Sequence, residues 1–179
     1  MPDQVDLFPA PPAAPAAPVP LDGVPERALS LTQPWASLVA LGAKTIETRS
    51  WFCAFRGPVA IHASKGFPLA CRELCLDEPF RSALGGAQGD ALPLGRIVAV
   101  ARLAGCFRFG HDDPLAGRGG TEHEADFGDY SKGRFGFVLA DIVALPEPIP
   151  ARGMLGLWAI NDGLRAAIAT QIPAAWRLA

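Results

Sequence analysis

Residues 29–51 read LSLTQPWASLVALGAKTIETRSW, and the changes of period along them decide the fold. The short alternating segment 28–31 predicts a strand. TQPWASLVALG follows, with Thr32 placed to cap a helix and Pro34 in its first turn, where a missing N–H costs nothing. Trp35, Leu38 and Val39 recur at helical spacing, and Gly42 is a natural stop, so a helix is expected over 33–41. KTIETRSW (44–51) then alternates and is rich in strand formers, with Lys44, Ile46 and Thr48 on one face and Thr45, Glu47, Arg49 and Trp51 on the other. The chain's 19 glycines and 18 prolines, which break helix interiors, argue against a long-helix bundle.

Working outward, FRG (55–57) is a turn, and PVAIHAS (58–64) is a near-continuous apolar run that fits a strand buried on both faces. A helix is expected over 67–76, from Pro68 with Leu69, Leu74 and Leu76. Strong strand patterns follow at 95–107, 134–145 and 154–160, with a proline-punctuated connection, PEPIPARG, before the last. Asn161 and Asp162 are placed to cap a final helix at 164–171. Residues 110–129 form a Gly/Asp/Glu-rich loop, and a loop that long in a compact domain is a candidate for function. The expectation is a β-rich α+β domain: a small barrel of about six mixed or antiparallel strands with about three peripheral short helices.

Composition sets bounds. The chain has 179 residues, half of them hydrophobic, which suffices for one domain with a real core. Eight of its 18 prolines lie in the first 25 residues. The boundary is therefore set as a disordered Pro/Ala-rich tail over 1–26 and one folded domain over 27–179. A partner groove could take LFPAPP (7–12) as a docking strip. No membrane span is expected, because no run of about 18 apolar residues occurs. Asp3 and Asp6 stand where a signal peptide needs cations, so a cytoplasmic location is expected. Cys53, Cys71, Cys75 and Cys106 lack CxxC spacing and read as reduced, mostly buried thiols. Cys106, His111 and His123 match no zinc spacing, so neither metal nor cofactor is expected.

The formal net charge of −2 conceals segregation. Residues 24–110 carry ten basic and six acidic side chains, whereas 111–129 carry one basic and six acidic. The body is thus mildly basic and one loop strongly acidic, an arrangement in which the loop could occupy a basic cleft in place of a nucleic acid.

The densest polar and aromatic cluster runs from Gln33 to Lys65. Trp35 and Trp51 offer stacking faces, Arg49 and Lys65 offer cationic donors, and Gln33, His62 and Ser64 offer groups that read a base edge. Each has a plainer reading: Trp35 as core, Glu47 and Arg49 as a surface ion pair, Lys44 as solvated surface, His62 as a buried imidazole. The residues alone define a β-rich domain with a polar pocket.

The ordered blocks resemble a known family, the ASCH domain (activating signal cointegrator-1 homology), a branch of the PUA-like superfamily. Its GxKxxExR motif stands here as Gly42, Lys44, Glu47 and Arg49. QPWA before it, RGPVAIHA (56–63) after it, FGFVL (135–139) and GMLGLW (153–158) also match, so the resemblance covers about residues 27–160. It implies a PUA-like barrel with a cleft for RNA, single-stranded nucleic acid or an unstacked, modified base. Some relatives are amidohydrolases that deacetylate N4-acetylcytidine, and others are proposed to cut RNA. In the amidohydrolases a lysine matching Lys44 works with a threonine three residues later, where this chain has Glu47. A carboxylate cannot replace a hydroxyl nucleophile, so binding is favoured over catalysis. A metal-independent hydrolase with Lys44 and Glu47 at its centre is the alternative. Glu122, Glu124 and Asp126 are candidates for a second acidic residue.

Overall fold

The computed structural model describes residues 21–87, 89–110, 115 and 119–178. The tail over residues 1–20, its LFPAPP segment and His111 lie outside the described residues. The elements in chain order are β1 (Arg27–Leu31), α1 (Trp35–Ala40), β2 (Ile46–Arg49), β3 (Gly57–Ala63), α2 (Leu69–Leu74), α3 (Phe80–Ala83), β4 (Arg96–Arg108), β5 (Phe135–Pro150), β6 (Leu157–Ala159), α4 (Asp162–Ala169) and α5 (Ala174–Leu178). Single 3-10 turns occupy Gly89–Ala91 and Glu124–Phe127.

The six strands form one mixed sheet in the order β2-β5-β4-β3-β1-β6. Only β1 and β3 pair in parallel. The β4–β5 ladder breaks register three times. Each break adds local twist, so the six-stranded sheet curls into a half-barrel, in keeping with the small β-rich barrel expected from the sequence. Asp141 takes a positive φ of 49° between two of these paired stretches.

The inner strands are buried on both faces, which explains their unbroken apolar runs. Leu29, Leu31, Val59, Ile61, Ala99 and Leu103 pack into one core with α1. Ala28, Ala60, Ile97 and Val100 face the opposite core, covered by Ile168 of α4 and Trp176 of α5. Trp176 is pinned there: its Nε1 donates to Asp141 O at 2.6 Å, and the Arg102 guanidinium stacks 4.8 Å from its ring. Val24 is buried in the same core, and a Cβ on Gly23 would lie 2.0 Å from Arg177 O. Packing thus begins before residue 27, where the sequence reading starts the domain.

Several boundaries move for identifiable reasons. In α1, Thr32 gives no side-chain cap. Instead the Gln33 Oε1 accepts the Ser37 N–H at 3.0 Å, while its Nε2 donates to Pro93 O at 2.9 Å. Gly42, at φ 73°, ends the helix as expected. β5 runs on through PEPIP rather than ending at 145. There Ala144 pairs with Ala99 but Ile149 with Ile97, so Pro146 and Pro148 fall in a bulge. The Ala151 N–H donates to Gly95 O, so on an alternating backbone the missing N–H of Pro150 faces away from β4. β6 is only three residues long because Met154 and Leu155 belong to a loop that turns at Gly156, φ 67°. In α2 the expected apolar stripe is not the buried face: Leu69 and Leu76 are exposed, and Cys75 and Phe80 anchor the segment instead. The short helices α3 and α5 have no counterpart in the sequence reading. Asn161 does cap α4, its Oδ1 accepting the Leu164 N–H at 2.8 Å. Among the described residues, no helix is long and apolar enough to cross a membrane.

The loop after β5 is fastened to the sheet by one polar cluster. His62 Nε2 contacts Ala151 O at 3.1 Å, and a carbonyl only accepts, so Nε2 carries a proton. His62 Nδ1 lies 3.1 Å from Ser30 Oγ, which also accepts from Trp158 Nε1 at 3.0 Å and reaches Met154 O at 3.0 Å. Gly153 packs directly on this imidazole. A Cβ there would lie 2.3 Å from His62 Cε1, so Gly153→Ala is expected to destabilise the fold by about 1–3 kcal/mol, read as a lower urea midpoint at unchanged slope. Burial also holds the His62 pKa below 6.5. The unfolded chain therefore takes up this proton first, and stability should fall as pH drops below about 6.5. His62→Gln should flatten that limb of the stability-versus-pH curve.

Candidate functional site

Lys44 stands between the end of α1 and the start of β2, and it is fully enclosed. Its ammonium donates to Ile46 O and to the Tyr130 hydroxyl at 3.3 Å. It lies 3.7 Å from Glu124 Oε1 and 3.9 Å from Glu47 Oε2. Residues three apart on one ideal strand face opposite sides. Lys44 and Glu47 converge because Lys44 precedes the first residue of β2. Burial lowers the Lys44 pKa, and the carboxylates of Glu47 and Glu124 oppose that shift.

Glu124 is the piece that the sequence offers only as one of three acidic candidates. It is 1% exposed, although it comes from the acidic loop. Its Oε2 accepts from the Thr45 N–H and the Thr45 hydroxyl, both at 2.8 Å. Its Oε1 accepts from the Ile46 N–H at 3.0 Å and from the Tyr130 hydroxyl at 3.0 Å. One carboxylate thus saturates the backbone donors where the chain enters β2. Tyr130, the chain's single tyrosine, is raised above the ordinary phenol range, first by burial and then by Glu124. It therefore remains a hydroxyl donor. Its sequence signal is only a lone phenol just past the Gly/Asp/Glu-rich loop at 110–129.

In front of this buried group opens a cleft of about 480 Å³, lined by Trp35, Glu47, Thr48, Arg49, Asp126 and Arg134 among others. Arg49 Nε lies 3.1 Å from Glu47 Oε1, although the two are not aligned as a hydrogen bond. Arg49 Nη2 donates to Ser30 O at 2.6 Å. Arg134 pairs with Asp129 at 3.2 Å across the far wall. The acidic loop therefore supplies one side of the cleft, through Asp126, Phe127, Gly128 and Asp129.

The nine residues singled out in the sequence divide into groups. Trp35, Glu47 and Arg49 line this cleft, with Lys44 directly behind Glu47. Gln33 is buried beside it and braces α1 with both ends of its amide. Trp51 lies elsewhere, edge-on to Phe137 with ring centroids 4.9 Å apart. His62, Ser64 and Lys65 line a second groove that meets the first at Ser30. Among the described residues no group of three or more His, Cys, Asp or Glu side chains is arranged to hold a metal ion.

A six-stranded, mixed, curled sheet with few short helices fits the PUA-like β-barrel class. The ASCH domain family model matches residues 29–138, more than half of the chain, and the chain belongs to that family. Among solved structures, the chain is similar to the ASCH protein from Zymomonas mobilis at a TM-score of 0.50 and 14% identity, covering 83% of this chain and 96% of that one. Two mutant forms of the same Zymomonas mobilis protein align at 17% identity with TM-scores of 0.48 and 0.49, covering 80% and 83% of this chain and 94% and 96% of those. No curated protein matches the chain.

Removing Glu124 would strand the Thr45 and Ile46 amides and leave Lys44 with fewer partners. Glu124→Ala is therefore expected to cost about 3–5 kcal/mol in a urea titration, as breaking a buried ion pair does. Glu122→Ala, at an exposed position of the same loop, should leave the midpoint within about 0.5 kcal/mol of the parent.

Proposed function

We propose that the Trp35–Arg49 cleft binds an unstacked base of single-stranded RNA. Membership of a PUA-like, generally RNA-binding family supports the ligand class. The observation that carries the finer reading is the cleft's chemistry. Its volume suits a nucleoside, and its charges are mixed without a cationic excess, Arg49 and Arg134 being set against Glu47, Asp126 and Asp129. Such a mixture suits the donors and acceptors of a base edge better than a run of phosphates. Arg49 is held by two contacts and keeps Nη1 without a partner among the described residues. Glu47 supplies an acceptor for an N–H donor on a base edge, and Trp35 supplies an aromatic wall.

Enclosure of Lys44 supports a holding role over a chemical one. A catalytic lysine must touch the reacting atoms, whereas Lys44 does not line the cleft. Its ammonium instead fixes the carboxylate of Glu47 from behind, which leaves the other carboxylate oxygen beside Arg49.

Arg49→Ala should weaken binding of a short single-stranded RNA about ten- to a hundredfold, the loss expected for a charge-assisted hydrogen bond. Fluorescence anisotropy reads this directly. Unchanged affinity would refute the assignment of the cleft. Incubation with N4-acetylcytidine should give no deacetylation; turnover that Glu47→Gln abolishes would replace the binding reading with the hydrolase.

A further inference from the structure

The second groove, about 1040 Å³, runs from Ser30 past His62, Ser64 and Lys65 to Arg152, Met154 and Leu155. No carboxylate among the described residues lines it. Its two cations stand apart among the described residues. Arg72, Arg81, Arg102, Arg134 and Arg165 all pair with carboxylates. Arg56 and Arg96 donate to carbonyls, and Arg27 and Arg108 lie over aromatic rings. Lys65 and Arg152 have no such partner among the described residues, and both are exposed on the same groove. Between them the floor is apolar, formed by Leu94, Pro150 and Ala151, with Met154 and Leu155 standing exposed at the rim.

Ser30 joins the groove to the cleft. Its backbone carbonyl holds Arg49, and its hydroxyl holds the imidazole of His62, so one residue sits on the wall of both. His62 is occupied on both nitrogens and shapes the floor rather than offering a free donor.

We infer that this groove is a second subsite, in which Lys65 and Arg152 bind the backbone phosphates of nucleotides adjoining the base held in the Trp35–Arg49 cleft. The inference rests on the reading of that cleft as a base site. The two subsites then divide the work. The mixed-charge cleft contacts the base, and the acid-free groove neutralises the strand, with Met154 and Leu155 giving an apolar surface to the neighbouring base. A single-stranded polyanion is the occupant that charge complementarity selects. Two unpaired cations attract phosphate without sequence preference, and the apolar floor suits unstacked bases rather than a hydrated duplex.

The test uses the full chain with two probes: a labelled eight-nucleotide oligouridylate, read by anisotropy across a salt series, and free uridine, read by NMR chemical-shift perturbation. Lys65→Ala combined with Arg152→Ala should weaken oligouridylate binding about tenfold or more. Loss of two phosphate contacts should also lower the slope of log K against log salt by roughly 1.4. Uridine binding should stay at the parent's value. The charge-conserving Lys65→Arg with Arg152→Lys should restore both affinity and slope. Parental affinity and slope in the double alanine variant would overturn the groove and leave the cleft reading standing. Loss of oligouridylate binding in that variant but not in Arg49→Ala would overturn the cleft and keep the strand in the groove. An octaglutamate peptide that binds as tightly as the RNA, with the same sensitivity to the double variant, would assign the groove to an acidic protein segment and overturn the proposal.

Discussion

A single buried carboxylate sets the geometry on which the site depends. Glu124 accepts from both backbone amides that lead into β2, from the Thr45 hydroxyl and from Tyr130. Without an acceptor those amides would be buried donors with no partner, and each would cost about 1–3 kcal/mol. Satisfying them fixes where β2 begins, and that choice determines which side chains share a face. Lys44 is thereby left outside the strand and turned inward. Glu47 and Arg49 remain on the strand, two residues apart, and point into the same cleft. The arrangement also joins the long acidic loop to the sheet. The loop cannot be withdrawn from the cleft wall without taking the acceptor from the Thr45 and Ile46 amides and a counter-ion from Lys44.

The charges in that buried group have unequal claims. Lys44 is flanked by two carboxylates, but only Glu124 is fully enclosed with it; Glu47 is 8% exposed and reaches the cleft. Burial weakens the ammonium's hold on its proton. The two carboxylates work against that effect, which is why a cation is tolerated at a site with no water contact. A neutral residue of similar shape in place of Lys44 would leave two carboxylates facing one another at the base of the cleft. The motif lysine is therefore understood best as the counter-ion that allows Glu47 to stay an acceptor at the cleft floor.

Strand patterning carried most of the fold, because a strand buried on both faces has little choice of sequence. The runs at 58–64 and 95–107 lie within a residue of β3 and β4 at both ends. Where side chains replace backbone signals, the pattern fails. Thr32 looks like a cap, yet the Gln33 amide does that work from one residue further on. The prolines of PEPIP look like a connection, yet a bulge absorbs them. The site was half legible for the same reason. Gly42, Lys44, Glu47 and Arg49 form one local block, so their spacing shows in the sequence. Glu124 is about 80 residues distant and sits among other acids, and nothing local marks one carboxylate as buried. Only the tertiary position of Thr45 and Ile46, donors in need of an acceptor, distinguishes it from Glu122 and Asp126.

Charge segregation gains a different meaning once the loop is in place. As a sequence, residues 111–129 are an acidic stretch that would cancel the basic body at a distance. In the fold, Glu124 is turned inward onto Lys44, Asp129 pairs with Arg134, and Asp126 lies 3.3 Å from His123. Glu124 and Asp129 each offset a cation beside them at the cleft. None of them lines the groove that holds Lys65 and Arg152. At physiological salt, exposed charges more than about 8 Å apart are largely screened from one another. Mixed charge at the cleft and a local excess of cations at the groove therefore coexist on a chain of formal charge −2. Net charge describes neither surface. What a polyanion would meet is decided by which carboxylates are already satisfied, and that follows from the same inward turn of Glu124 that sets the start of β2.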